Sequence, residues 1–155
     1  MESHYYNVDV NWENTRRGTL CSPELMKENG VSIEVATPPE FPKGIPGIWS
    51  PEHLFVAAVG GCFLTTFLSI AENSSLEFVS FGCEAKGKLE KVDGTLMISE
   101  VLLRPVVTIS DELHINRAKR ILQKAEAACL IAQSIKSKII LEITVKVKPI
   151  LIAAE

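Results

Sequence analysis

One uninterrupted apolar stretch constrains the fold of this chain more than any other feature of its sequence. Between Leu54 and Ala71 no side chain carries a charge, and Glu52 and Glu72 stand just outside the two ends. Cys62 lies in the middle of the stretch, directly after two glycines. Three structures fit this pattern: a membrane span, a core helix with an incidental cysteine, or a buried site that uses the thiol.

The membrane span is the weakest of these three alternatives. A membrane-spanning helix needs about 20 apolar residues, with roughly 17 as the lower limit, so this stretch is borderline in length. It contains glycine, threonine and serine, and no basic residue anchors either end. An all-apolar helix in a water-soluble protein must instead be covered on every side. We therefore expect a central helix that is covered by a sheet or by a second chain.

Composition and charge narrow the class of protein. A chain of 155 residues suits one domain with a single core, which we predict over residues 1–155. Hydrophobic residues make up 46% and charged residues 23%, as in ordinary globular proteins. The net charge is −3 and the basic residues are scattered, so we expect no binding to nucleic acid.

The cysteines and histidines do not form a disulfide scaffold or a zinc site. The four cysteines are far apart without a Cys-x-x-Cys pair, and the three histidines are isolated, so we expect no metal and no cofactor. The N-terminal residues lack a basic region followed by an apolar one, which predicts no signal peptide. The expected location is the reducing cytosol, where a cysteine pair is more often catalytic or incidental than structural.

Alternation of apolar and polar residues predicts the strands. The first runs from Tyr6 to Glu13 and reads as half-buried, and "LCS" at 20–22 is a short second strand. Further strands are predicted around 31–35, 83–90, 95–110 and 141–148. Asn29-Gly30 and Asp93-Gly94 are typical of hairpin turns. Pro105 predicts a sheet edge or a bulge.

Two main helices are predicted between these strands. Ser50 is a good N-cap and Pro51 a good first residue for the central helix. A second helix can be capped by Ser110 and Asp111. Its apolar stripe has helical spacing: Ala118, Ile121, Leu122, Ala125 and Cys129. The predicted order is βββ-α-ββ-α-β, an α+β fold with an antiparallel-type sheet.

Two motifs resemble the OsmC/Ohr family, the osmotically inducible protein C and organic hydroperoxide resistance proteins. The stretch "SPEHLFVAAVGGCFLTTFL" is similar to the family's helix motif N/S-P-E-x-L-x-x-A-x-x-x-C-F. The stretch "AEAACLIAQSI" resembles its second-cysteine element, with Ala132 where a small residue is usual and Leu130 in place of a proline. The resemblance covers essentially the whole chain and implies an intertwined homodimer.

The resemblance also implies roles for individual residues. Cys62 matches the peroxidatic cysteine, Cys129 the resolving cysteine and Glu52 the active-site glutamate of a thiol peroxidase. The family's arginine points to the "TRRG" turn, where we choose Arg17 and keep Arg16 as the alternative. In the loop ahead of the central helix, Lys43 stands where the OsmC branch can carry its arginine. The implied substrates are organic hydroperoxides, and the implied reductant is a small dithiol or a lipoyl-type thiol.

Elementary electrostatics explains why such a site needs an arginine. A free thiol with a pKa near 8.5 is only about 3% ionised at pH 7, and burial lowers that fraction. Cys62 is roughly three turns into its helix, beyond the reach of that helix's dipole. A guanidinium about 4 Å away contributes on the order of 4 kcal/mol at an effective dielectric near 20, which can offset the burial. Glu52 would hold this arginine through a bidentate pair.

The spacing of Glu52 and Cys62 predicts a site shared between two chains. Ten residues span about 15 Å on one straight helix, which is too far for both to contact one arginine of the same chain. Two helices that cross antiparallel near Ala57 would place residue 52 of one chain opposite residue 62 of the other. The small residues around the crossing permit a close approach: Ala57, Ala58, Gly60 and Gly61.

An apolar lining would favour alkyl or lipid hydroperoxides as substrates. Its candidates, each of which fits a core position equally well, are Ile48, Trp49, Phe55, Phe63 and Phe67. Two other functions stay open. The chain can be an OsmC-like thiol protein without peroxidase activity, with a binding or structural role as a dimer. It can also be a redox sensor, although no DNA-binding element is visible.

Overall fold

This computed structural model describes residues 2–149, which contain seven strands, four α-helices and one short 3-10 helix (Glu112–His114). Contacts group the chain into two compact units, residues 1–54 and residues 55–155, and the boundary falls in the first turn of the long helix. The one-domain organisation stays a prediction.

The first unit is a three-stranded antiparallel sheet with one short helix. Its strands are β1 (Asp9–Asn14), β2 (Arg17–Cys21) and β3 (Ile33–Ala36), in the order β1-β2-β3. The helix α1 (Pro23–Lys27) lies between β2 and β3. The expectation of a half-buried first strand is wrong for this chain, because β1 is exposed along its whole length and Trp12 keeps 77% of its surface exposed.

The Asn29-Gly30 pair ends a helix and does not form the predicted hairpin turn. The Gly30 N–H donates to the Leu25 carbonyl at 2.7 Å, and Asn29 has a φ of 61°. A left-handed residue just after a helix is a common helix ending, and it uses the same amino acids as a hairpin turn. A Cβ on residue 30 would lie 2.6 Å from the Leu25 oxygen, so glycine is required.

The long helix α2 (Pro51–Asn73) begins where its cap predicts. The Ser50 hydroxyl accepts the His53 backbone N–H at 3.2 Å, which satisfies one of the free donors of the first turn. Four α2 residues spaced four apart are buried: Val59, Phe63, Phe67 and Ala71. This spacing places them along one face of the helix.

A mixed sheet forms the second unit together with α2 and α3. The strands β4 (Ser80–Val92) and β5 (Thr95–Ile109) pair antiparallel, and Asp93-Gly94 forms the predicted turn between them. The helix α3 (Ile115–Ala128) buries the predicted stripe of Ala118, Ile121, Leu122 and Ala125. Its aliphatic side chains join the phenylalanines of α2 in one core.

The predicted last strand is two strands, and both pair parallel with β5. They are β6 (Lys138–Leu141) and β7 (Thr144–Val147). The antiparallel expectation is wrong here because α3 carries the chain back to the start of β5, the connection that parallel pairing needs. Pro105 lies on the central strand opposite the interruption between β6 and β7, where no neighbour needs its missing N–H. The prediction of an edge or bulge at Pro105 is therefore also wrong.

Candidate active site

Cys62 lies half-exposed on α2, beside the helix face that anchors the core. The next residue, Phe63, is fully buried, and this fixes the direction in which the Cys62 side chain leaves the helix. Thr66, one turn further on, places its hydroxyl 3.9 Å from the Cys62 sulfur. Residues four apart share one helix face, so Thr66 is part of the same site.

Cys129 lies at a break between two helices, whereas the sequence predicted it as the last position of the second helix's apolar stripe. It has an extended backbone, with φ −66° and ψ 109°, and it separates α3 from the short helix α4 (Leu130–Gln133). Its N–H donates to the Glu126 carbonyl at 3.2 Å, and its own carbonyl accepts from the Gln133 N–H at 3.1 Å. Its side chain is 1% exposed. The break therefore turns this buried thiol, and the free N–H groups that follow it, toward Cys62.

The surroundings of the two thiols shift their pKa values in opposite directions. Partial burial raises the pKa of Cys62, but hydrogen bonding by the Ile131 backbone, the Cys129 thiol, the Thr66 hydroxyl and the Leu130 backbone outweighs burial, so the pKa is lowered. Burial raises the pKa of Cys129, and the neighbouring Cys62 sulfur adds to that rise. These directions make Cys62 the more acidic of the two thiols.

Sequence reasoning missed these thiolate-stabilising groups. Backbone groups at the start of a different helix, α4, are among the causes that lower the pKa of Cys62. Thr66 was visible in the sequence as the residue four positions after Cys62. The break at Cys129 gave no local signal, because the residue that follows it is leucine and not a helix-breaking proline.

The two candidate arginines have different neighbours within the first unit. Arg17, the first residue of β2, forms an ion pair with Glu34 at 3.0 Å. Arg16 lines a cavity of about 380 Å³ together with Glu52. The remaining walls of this cavity are mostly apolar: Thr37, Pro38, Phe41, Pro42 and Pro51. Arg16, the alternative candidate, is therefore the arginine that shares a cavity with Glu52.

Glu52 carries an unpartnered buried oxygen. Its Oε2 atom is inaccessible to solvent and has no hydrogen-bond partner within the described chain. A buried carboxylate oxygen without a partner is costly, so a donor from outside the chain is expected to satisfy it. Arg16 shares the cavity with Glu52 without forming an ion pair with it within 4.0 Å.

The proposed apolar lining divides into core residues and accessible ones. Phe63 and Phe67 are fully buried and pack on Phe81 with ring centroids 6.1 Å and 4.8 Å apart, so they belong to the core and not to a substrate surface. Phe55 is half-buried against the edge of that core. Trp49 is 53% exposed and meets the His53 ring edge-on, and Ile48 is half-buried.

Most of the α2 surface is uncovered within the chain. The helix is long and apolar enough to count as a candidate membrane span, as core helices of soluble proteins also do, yet only 22% of its most apolar window is buried. Ala57, Ala58 and Gly61 are exposed, and a Cβ on residue 61 would meet no atom within 4 Å. This surface of small residues is open to a second polypeptide.

An α+β fold with a long apolar helix, a cysteine at its middle and a second cysteine after the following helix defines an OsmC-like protein. The chain belongs to this family. The family profile described as "OsmC-like protein" matches residues 44–144.

Individual relatives resemble the chain over nearly its full length. An uncharacterized protein of Bacillus subtilis, YmaD, is 24% identical over 96% of this chain and 97% of its own. An OsmC-like protein of unknown function from Vibrio cholerae superposes with a TM-score of 0.79 at 24% identity, over 91% of this chain and 99% of its own. An organic hydroperoxide resistance protein OsmC from Legionella pneumophila superposes with a TM-score of 0.72 at 18% identity, over 95% and 100%. At these identities the solved structures establish the fold.

Proposed function

We propose that this protein is a thiol peroxidase that reduces organic hydroperoxides. The observation that carries the proposal is the pairing of Cys62, whose pKa is lowered despite partial burial, with Cys129, whose pKa is raised by burial and by that sulfur. A nucleophilic thiolate beside a protonated thiol is the arrangement that a two-cysteine peroxidase requires. Names of solved relatives that include organic hydroperoxide resistance proteins support the same assignment.

The reaction runs in three balanced steps. The Cys62 thiolate attacks the distal oxygen of the hydroperoxide, the O–O bond breaks, and the alkoxide leaves and takes up a proton as an alcohol. Cys62 is then a sulfenic acid. Cys129 attacks its sulfur, so that a disulfide forms and water leaves. An external dithiol, of the small or lipoyl type, reduces this disulfide to two thiols and is itself oxidised to a disulfide.

A homodimer would complete the site. Arg16 and Glu52 line one cavity. Glu52 is the second residue of α2, and Cys62 lies ten residues, or about 15 Å, further along the same helix. In an antiparallel crossing of two α2 helices near Ala57, the cavity of one chain meets the thiolate of the other. The open surface at Gly61 supports such a crossing. Arg16 of one chain would then stabilise charge on the other chain's sulfur and satisfy Glu52.

The residues that line the cavity with Arg16 support an apolar class of hydroperoxide substrate. Proline and phenylalanine side chains dominate the cavity, which suits an alkyl or lipid hydroperoxide better than hydrogen peroxide. Trp49, which is 53% exposed, remains accessible enough to contribute to such a surface. The reducing cytosol is the proposed location, because the mechanism needs Cys62 and Cys129 to return to thiols after each turnover.

Hydroperoxide consumption by the purified protein tests the proposal. The assay contains cumene hydroperoxide and dihydrolipoamide, with Cys62→Ser as the inactive variant and Cys21→Ser as the matched control. We expect full activity in the control, none in Cys62→Ser, and a Cys62–Cys129 disulfide in peptide maps of oxidised protein. Equal rates in the wild type and Cys62→Ser would overturn the proposal and leave a thiol protein with a binding or structural role.

A further inference from the structure

A second cavity, next to the one lined by Glu52, carries two cations. It has a volume of about 590 Å³ and is lined by Thr15, Arg16, Lys43 and Ile45. Arg16 lines both cavities, so the two adjoin at this side chain. The second cavity is an open surface pocket, because Thr15, Arg16 and Lys43 are all exposed, and its charged groups are accessible to a ligand from solvent.

The charge of this second cavity is not neutralised within the described chain. None of its lining residues is acidic, and neither Arg16 nor Lys43 takes part in an ion pair within 4.0 Å. Arg16 has the Glu52 carboxylate as a neighbour in the adjoining cavity, whereas Lys43 lines only the second cavity. Lys43 is therefore the cation whose charge is fully available to a ligand.

Two strained residues shape the cavity. Thr15 has a φ of 46° and Lys43 a φ of 61°, a region that favours glycine and is rare for a β-branched residue such as threonine. Thr15 and Arg16 are the two central residues of the turn between β1 and β2, since Asn14 pairs with Arg17. Strain of this kind persists where the surrounding structure enforces it, and it concentrates at functional sites.

Backbone hydrogen bonds shape the loop that carries Lys43 and connect it to that turn. Within it, the Ile45 N–H donates to the Thr37 carbonyl at 2.9 Å and the Gly44 N–H donates to the Phe41 carbonyl at 2.9 Å. A Cβ on residue 44 would lie 2.0 Å from the Pro38 oxygen, so only glycine fits after Lys43. The Thr37 N–H donates to the Arg16 carbonyl at 3.3 Å, which links the loop directly to the turn. The two cations are thus positioned by connected backbone.

We propose that this cavity binds the anionic group of an amphipathic hydroperoxide, and that Lys43 is the residue that selects it. The inference rests on the proposed peroxidase function. The apolar chain of such a substrate would lie along the proline and phenylalanine walls beside Glu52, and its carboxylate or phosphate would bind between Lys43 and Arg16.

Matched substrates test the proposal by kcat/KM. The three substrates are linoleic acid hydroperoxide, which carries a carboxylate, its uncharged methyl ester, and a hydroperoxide of lysophosphatidic acid, which carries a phosphate. Lys43→Gln is expected to lower kcat/KM about five- to tenfold for the anionic substrates and to leave the methyl ester within about twofold. Lys43→Arg is expected to retain most of the preference, and Lys27→Gln, an exposed lysine of α1, serves as the matched control.

Two further measurements keep the test decisive. Lys43→Gly removes the charge and also relieves the left-handed backbone strain, so it separates loss of charge from misfolding. If the protein lacks peroxidase turnover, calorimetry can measure the preference for an anionic ligand directly. The ligands are 13-hydroxyoctadecadienoic acid and its methyl ester, and the protein is the Cys62→Ser variant. A preference for the acid that Lys43→Gln removes would support the anion site independently of catalysis. Equal losses for charged and neutral compounds, or no loss for either, would overturn it.

Discussion

Cys129 is a close neighbour of Cys62, and this proximity helps to separate the pKa values of the two thiols. Burial of Cys129 already raises its pKa, and the neighbouring sulfur raises it further. Partial burial acts to raise the pKa of Cys62 as well, but hydrogen bonding by backbone groups and by Cys129 lowers this pKa by more. The opposite shifts in pKa therefore make Cys62 the expected first nucleophile of the two.

The first prediction concerns the pH at which each thiol reacts. A lowered pKa keeps Cys62 ionised as the pH falls, whereas a raised pKa keeps Cys129 protonated as the pH rises. Iodoacetamide should therefore label Cys62 at a lower pH than Cys129, as followed by peptide mass spectrometry. In Cys129→Ala the labelling profile of Cys62 should move to higher pH, because a donor to the thiolate is lost. Earlier labelling of Cys129 would contradict the assignment.

Two adjacent threonines offer a matched test of thiolate stabilisation. The Thr66 hydroxyl faces the Cys62 sulfur, whereas the Thr65 hydroxyl donates to the Cys62 carbonyl at 3.1 Å. Thr66→Val should slow the alkylation of Cys62 at pH 7 about two- to fivefold, the range expected for one weak hydrogen bond. Thr65→Val should leave that rate unchanged. A similar decrease in both variants would mean that the effect comes from the helix and not from the thiolate.

The two neighbouring arginines provide the sharpest test of the cavity beside Glu52. Arg16→Gln should lower kcat/KM for organic hydroperoxides at least about tenfold, because it removes the cation proposed to stabilise the transition state. Arg17→Gln should cost less than about twofold, since this exposed side chain pairs with Glu34. Steady-state rates with cumene hydroperoxide distinguish the two. The opposite ranking would return the activating role to Arg17.

Phe67 should affect stability and not substrate binding. Truncation to alanine removes a fully buried ring that stacks on Phe81 and should lower the free energy of unfolding by about 3–5 kcal/mol. Urea denaturation measures this loss, and Leu113→Ala, an 84% exposed leucine, is the control. At a temperature where the variant stays folded, kcat/KM should remain within about twofold of the wild type. A large rise in KM without a loss of stability would restore Phe67 to the substrate surface.

Gly61 tests the crossing of two long helices. A side chain here has free space within the chain, and replacing glycine by leucine in a helix favours helix formation, so the isolated chain should not be destabilised. The same side chain would block a close approach of a second helix. Sedimentation should therefore show a dimer for the wild type and a shift toward monomer for Gly61→Leu, with Gly82→Leu on β4 as the control. A monomeric wild type would contradict the shared site.

Local sequence patterns predicted the elements whose physics is local. The start of α2 at Pro51, the Asp93-Gly94 turn and the buried stripe of α3 follow from capping, turn chemistry and periodicity. The same kind of reasoning failed at Asn29-Gly30, because one dipeptide suits both a hairpin turn and a helix ending. It also failed at the last strand, where the interruption lies opposite Pro105 on a neighbouring strand.

The sequence alone therefore determined the family, the α+β class and the helix that carries Cys62, since each depends on residues close together in the chain. Tertiary structure decided which groups surround the thiols and which arginine lines a cavity with Glu52. The break at Cys129 brings backbone N–H groups to Cys62 from a distant part of the sequence, and no local pattern records that approach. Arg16 and Arg17 are adjacent in sequence, but one lies in a turn and the other in a strand, so they face different neighbours.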